Sequence, residues 1–215
     1  MFLDSFVKRR RPLSKAKKLL LEEVLPKFIV TPDSLYSLIK KYDKINLEIG
    51  FGKGEFLEAI SNREQENNSL NIGCEVYTEG VASILQKIKD HDIRNLAIWP
   101  DDARILIEKF PNHSIDVIYI LFPDPWPKQK QQKRRIINPE FIKLLSDKLK
   151  TNGKIFFASD HHGYADWTLK YFKQSQRFHC EDISKDSAEL FENCVTKYHK
   201  KNLEGADIKL LKFSL

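Results

Sequence analysis

The chain has 215 residues, a formal net charge of +6, 41% hydrophobic and 31% charged residues, which fits one α/β domain with a full core and excludes a chain disordered throughout. Cys74, Cys180 and Cys194 are odd in number and far apart, so neither a disulfide framework nor a zinc knuckle is indicated and a reducing cytosol fits best. The longest apolar runs, such as Val117 to Phe122, are far too short to span a bilayer.

Residues 1–20 read as a basic arm, with Lys8, Arg9, Arg10, Arg11, Lys15, Lys17 and Lys18 set against Asp4. Such a run suits a polyanion partner or a plain solvated surface. Glu22 and Glu23 interrupt the LLLEEVL that follows, so no signal peptide is expected. Residues 21–215 read as a single domain.

From about Ile45 short apolar runs alternate with helix-length amphipathic ones. INLEIG leads to GEFLEAISNR, LNIGCEV to TEGVASILQKIKD, and NLAIW to DARILIEKF. IDVIYILF then leads to PEFIKLLSDKL, and KIFFASD to YADWTLKYFK. This alternation predicts a parallel sheet covered by helices on both faces. Two later runs, FHCEDI and DIKLLKFSL, are expected to close the sheet as edge strands. In such a sheet a ligand binds outside the carboxyl ends of the strands, where the informative residues should sit.

The first strand ends in LEIGFGKGEFL, where Gly50, Gly52 and Gly54 predict a tight turn that lets backbone approach a ligand closely. A glycine-rich turn alone is a weak signal, but Glu48 stands just before it and would repel a pyrophosphate while attracting an ammonium or sulfonium. Glu75 ends the second strand, where an acid accepts both hydroxyls of a ribose. Adenosine with a cationic tail satisfies both acids, and S-adenosylmethionine matches that description. Asp102, after the third strand, suits the adenine amino group and equally suits a helix N-cap with no ligand.

After the fourth strand comes ILFPDPWPKQKQQKRR, residues 120–135. Asp124 should face the same crevice and accept hydrogen bonds from a base edge, with Pro123 and Pro125 holding the turn. Trp126 is expected to wedge the loop onto the body rather than to stack on a base. Lys128, Lys130, Lys133, Arg134 and Arg135 are expected to grip phosphates. His161 and His162 are adjacent, so their side chains point apart and no metal site is expected.

From about Asn46 to the end, the chain resembles the bacterial tRNA (guanine-N7-)-methyltransferase family, on LEIGFGKG and on FPDPWPK followed by KRR. The resemblance implies a class I S-adenosylmethionine-dependent methyltransferase fold, Rossmann-like, with a mostly parallel seven-stranded sheet. It implies methylation of the guanine at position 46, in the tRNA variable loop. Residue by residue, it puts Glu48, Glu75, Asp102 and Asp124 among the cofactor-binding acids, Asp124 being also the proposed catalytic residue. Lys128 and Asp160 fall on substrate-binding positions, residues 130–135 on the RNA-contacting segment, and Thr196 on a base-contacting threonine. The chain departs from the family's Thr-x-x-Glu element, where His199 replaces the glutamate, and carries Gln129, Gln131 and Gln132 between its two basic elements.

Guanine N7 carries a lone pair and no proton, so its methylation needs positioning rather than a general base. Two rival functions fit less of the sequence: an exocyclic-amine nucleic-acid methyltransferase, for which no tyrosine follows the Asp-Pro pair, and a tRNA-binding protein with weakened catalysis, for which His199 argues. Both monomer and homodimer remain open.

Overall fold

The computed structural model describes residues 3–6, 12–186 and 207–215. A helical run precedes the sheet. Helix α1 (Lys15–Leu19) passes through a π-helical turn (Leu20–Val24) into α2 (Leu25–Phe28). The boundary expected after residue 20 falls inside this run. Helix α3 (Pro32–Ile39) starts at a capping box, in which the Thr31 hydroxyl accepts from Ser34 N and the Ser34 hydroxyl accepts from Thr31 N. The pair satisfies donors that a helix start otherwise leaves open.

Seven strands follow: β1 (Lys44–Ile49), β2 (Ser69–Cys74), β3 (Leu96–Trp99), β4 (Ile115–Leu121), β5 (Leu149–Ser159), β6 (His179–Asp182) and β7 (Lys209–Ser214). They form one sheet in the order β3-β2-β1-β4-β5-β7-β6. Strands β1 to β5 pair in parallel, and β7 runs antiparallel to both neighbours. The connecting helices are α4 (Glu55–Arg63), α5 (Thr78–His91), α6 (Ala103–Lys109), α7 (Pro139–Lys148) and α8 (His162–Ser175). Two apolar clusters hold the layers together. One joins Leu47, Ile72, Ile118, Phe141 and Phe157; the other joins Phe56, Leu57, Ile84, Ile98 and Leu210.

The expected alternation of strand and helix is present, with one correction. DIKLLKFSL is not an edge strand, because β7 is inserted between β5 and β6, and of the two later runs β6 alone lies at a border of the sheet. Leu210, Leu211 and Phe213 are all buried, so successive residues of β7 are covered on opposite faces, as an interior strand requires. An apolar run alone does not distinguish that position from an edge.

The chain builds outward from β1 to β3 and returns to β4 on the other side of β1. The crevice between the carboxyl ends of β1 and β4 is therefore the topological switch point, where open α/β sheets take their ligands.

Candidate functional site

A cavity of about 640 Å³ opens at that switch point, lined among others by Glu48, Gly52, Glu75, Asp102 and Asp124. Lys53 is the only lysine or arginine among its described lining residues. A site so rich in carboxylates attracts cations.

The glycine turn forms its floor. Gly50, Gly52 and Gly54 have φ of 75°, 58° and 77°, a region that side chains with a Cβ enter at a cost. A Cβ on Gly52 would meet no protein atom within 4 Å, so the space beside it is open to a ligand. Gly80, unremarked in the sequence, fixes the turn from the other side. A Cβ there would come within 2.1 Å of the Gly52 carbonyl oxygen, so only glycine lets α5 start this close.

Glu48 sits near the end of β1, is 4% exposed, and its Oε2 has no hydrogen-bond partner among the described residues. Burial, reinforced by Glu75 and Glu55, pushes its pKa up to about 8. An unpartnered buried carboxyl beside a cavity is costly unless something else binds it. Glu75, just beyond β2, accepts from Gly52 N through Oε2 and from Tyr77 N through Oε1, each at 2.8 Å. Burial raises its pKa, while those two N–H donors pull the other way. Each oxygen retains a lone pair for a further donor.

Asp102 caps α6, its Oδ1 accepting from Arg104 N at 3.0 Å. It also pairs with the buried Arg104 guanidinium, with Nε 3.0 Å from Oδ1 and 3.1 Å from Oδ2. The capping role foreseen for it is present, and the carboxylate still lines the cavity.

Asp124 is exposed at the rim, in the loop after β4. Two non-glycine residues with positive φ bracket it, Phe122 at 53° and Trp126 at 45°. Strain of this kind persists only where surrounding contacts over-determine the backbone. Here Phe122 N donates to Ala158 O at 2.8 Å, and Trp126 Nε1 donates to Ser5 O at 3.1 Å. The Trp126 indole N–H thus ties the loop to the segment Leu3–Phe6.

The basic run divides. Lys128, Lys130 and Lys133 are exposed on and beside a 3₁₀ helix, Gln129–Arg134. Arg134 lies over the Trp126 ring, 3.9 Å from its centroid, and donates to Asp4 O and Phe6 O. Arg135 corrects the sequence expectation. It is 3% exposed, donates to Pro125 O at 2.8 Å, and sits 4.8 Å from the rings of both Tyr164 and Trp167. Its guanidinium pins the proline loop to α8 and faces no solvent where RNA could lie.

Asp160 is exposed immediately after β5. His161 caps α8, its Nδ1 accepting from Tyr164 N at 3.1 Å, while the neighbouring His162 pairs with Asp207. Thr196 and His199 lie outside the described residues, as do Cys194 and residues 7–11 of the basic arm. Sequence reasoning missed Gly80, Arg104 and the cavity-lining Ser5 and Phe6, because only packing from remote parts of the chain reveals their roles.

A seven-stranded sheet with this order, a glycine turn after β1 and acids at successive strand ends define a class I S-adenosylmethionine-dependent methyltransferase. Known proteins agree. A family model described as "Putative methyltransferase" matches residues 42–209. The tRNA (guanine-N(7)-)-methyltransferase of Wolbachia pipientis wMel is 39% identical over 186 residues, covering 85% of this chain and 80% of that protein. The protein of the same name from Hyphomonas neptunium is 36% identical over 199 residues, covering 90% of each. A bifunctional methyltransferase of Rickettsia conorii is 41% identical over 197 residues, but this chain spans only 36% of that protein's length. Among solved structures, the 16S rRNA methyltransferase KamB superposes with a TM-score of 0.61 at 13% identity, covering 86% of this chain and 97% of that one. The chain belongs to the tRNA (guanine-N(7)-)-methyltransferase family.

Proposed function

We propose that this chain transfers the methyl group of S-adenosylmethionine to N7 of a guanine in tRNA, and that the target is the variable-loop guanine at position 46. One observation carries the reading: in a member of this family, the switch-point cavity is lined by acids, and the loop that brings Asp124 to it runs on in sequence into the exposed Lys128, Lys130 and Lys133.

The residues suit the cofactor. The orphaned Oε2 of buried Glu48 offers a charge to the ammonium or sulfonium, and its neighbour Gly52 leaves open space. Glu75 retains acceptor capacity for the ribose hydroxyls, and Asp102 is available to the adenine amino group. Bound there, S-adenosylmethionine supplies a methyl group activated by a positive sulfur.

The acceptor nitrogen bears no proton, so the chain need not remove one. Its contribution is alignment, which supplies on the order of 7 to 11 kcal/mol when the reacting atoms are well oriented. Asp124 holds the base edge, and Asp124 with Asp160 stabilises the positive charge that develops on the purine. Lys128, Lys130 and Lys133 hold phosphates flanking the inserted nucleotide. Recognition of the base by Thr196 and His199 belongs to the same reading. The cytoplasm, where tRNA is found, is the proposed location; among the described residues no helix is long and apolar enough to cross a membrane.

The test is nucleoside analysis of tRNA incubated with the protein and methyl-labelled cofactor. N7-methylguanosine, which is alkali-labile, is the expected product, and strand scission at position 46 locates it. Label in N6-methyladenosine would replace the N7 reading with the exocyclic-amine one.

A further inference from the structure

Ser5 and Phe6, in the segment Leu3–Phe6, line the cavity together with the glycine turn. Every carbonyl of this segment accepts a side-chain hydrogen bond. Leu3 O accepts from Arg104 at 2.8 Å, Asp4 O from Arg134 Nε at 3.0 Å, Ser5 O from Trp126 Nε1 at 3.1 Å, and Phe6 O from a terminal nitrogen of Arg134 at 2.7 Å. The donors come from three separate elements: α6 and the proline loop, whose residues line the cavity, and the 3₁₀ helix that follows that loop.

A segment merely draped over the surface would leave its carbonyls to water. Here three of the four bonds come from guanidinium groups, the stronger class of donor. The donors are also tied to the site itself. Arg104 pairs with Asp102, which lines the cavity, and Arg134 packs on Trp126, two residues from Asp124.

We infer that Ser5 and Phe6 are part of the cofactor site, forming a strap that Arg104, Trp126 and Arg134 hold across its mouth as positioning residues. The inference rests on the cofactor reading above. Phe6 supplies an apolar wall on the side that would otherwise open to water, and the bonded carbonyls fix the path of the strap. The bound cofactor must displace or pass beneath the strap to leave, so the strap slows its exchange.

The experiment measures the affinity and dissociation rate of S-adenosylhomocysteine, the cofactor product, for the full chain and for Phe6→Ala, Phe6→Leu and Trp126→Phe. Trp126→Phe keeps an aromatic ring for Arg134 to lie over while deleting the indole donor and the bulk of one ring. Phe6→Ala and Trp126→Phe should each speed dissociation about tenfold, the size expected for losing one well-made contact. Phe6→Leu should stay within about threefold of the parent, because it restores apolar bulk. The double variant Phe6→Ala with Trp126→Phe should be little worse than Phe6→Ala, because both act through one strap. The KM for the cofactor should rise in these variants by more than kcat falls, and thermal midpoints without ligand should stay close to the parent, which separates strap loss from general destabilisation. If the parent binds and both variants release the ligand at the parental rate, the inference is overturned alone. A parent that binds no S-adenosylhomocysteine overturns the cofactor reading, and this inference with it.

Discussion

The backbone N–H of Gly52 donates to Glu75 Oε2 at 2.8 Å, so the carboxylate at the end of β2 holds the glycine turn at the end of β1. The acid proposed to bind the ribose thereby also shapes the turn that lines the cavity. Gly52→Val should remove S-adenosylhomocysteine binding in a calorimetric titration. A branched side chain disfavours φ of 58° and fills the open space beside the turn. Gly80→Ala should weaken binding at least about tenfold by forcing the Gly52 carbonyl to move. Parental affinity in both variants would remove the turn from the site.

Glu48 sets a pH dependence. Its pKa is raised from 4.5 to about 8 by burial, then by Glu75 and Glu55, so in the unliganded protein it is largely protonated near neutral pH. A cationic ligand favours the carboxylate and releases the proton. Affinity for S-adenosylmethionine should therefore rise by up to about tenfold per pH unit below about pH 8 and then flatten. Calorimetry in two buffers of different ionisation enthalpy reads the released proton directly, and Glu48→Gln should abolish it.

The same shift has a stability consequence of known sign. A carboxyl whose folded pKa lies above its unfolded one binds more protons when folded, so its cost to stability grows as pH rises from about 4.5 to about 8. Glu48→Gln should raise the thermal midpoint of the unliganded protein more at about pH 8 than at about pH 5. Equal shifts at both would mean that Glu48 ionises freely in the folded state.

Asp124→Ala should reduce turnover on the order of a hundredfold, the loss typical of one preorganised electrostatic group. Asp124→Asn should lose nearly as much, because the charge matters more than the shape. Single-turnover methylation of tRNA measures it, and a variant within about threefold of the parent would move the chemistry elsewhere.

The two halves of the basic run should respond differently. Neutralising Lys128, Lys130 and Lys133 should flatten the salt dependence of tRNA binding by about 2 in log–log slope, at roughly 0.7 per phosphate contact. Arg135→Ala should instead cost about 2 kcal/mol of stability, through the lost charged hydrogen bond to Pro125 O. Denaturant titration of Arg135→Ala and salt titration of the lysine variants should give these separate signatures.

The chain order of apolar and amphipathic runs was enough to specify the parallel sheet, and the strand-end rule was enough to bring Glu48, Glu75, Asp102 and Asp124 to one crevice. These features are local. Periodicity marks the strands, a glycine cluster marks the turn, and topology carries each strand end to the same edge. What the tertiary structure alone decided concerns residues far apart in sequence. KRR reads as three equivalent cations, yet Arg135 turns inward onto Tyr164 and Trp167, Arg134 turns toward residues 4 and 6, and only Lys133 stays with solvent. No pattern in that tripeptide separates them, because burial of a guanidinium depends on carbonyls and rings that other segments deliver. Ser5 and Phe6 stand in an arm whose composition signals only positive charge, and their carbonyls accept from donors 121 and 128 residues away. Hydrogen bonds across such separations form only when the whole chain has packed, so sequence determined the chemistry that gathers at the sheet's edge and tertiary structure decided what closes over it.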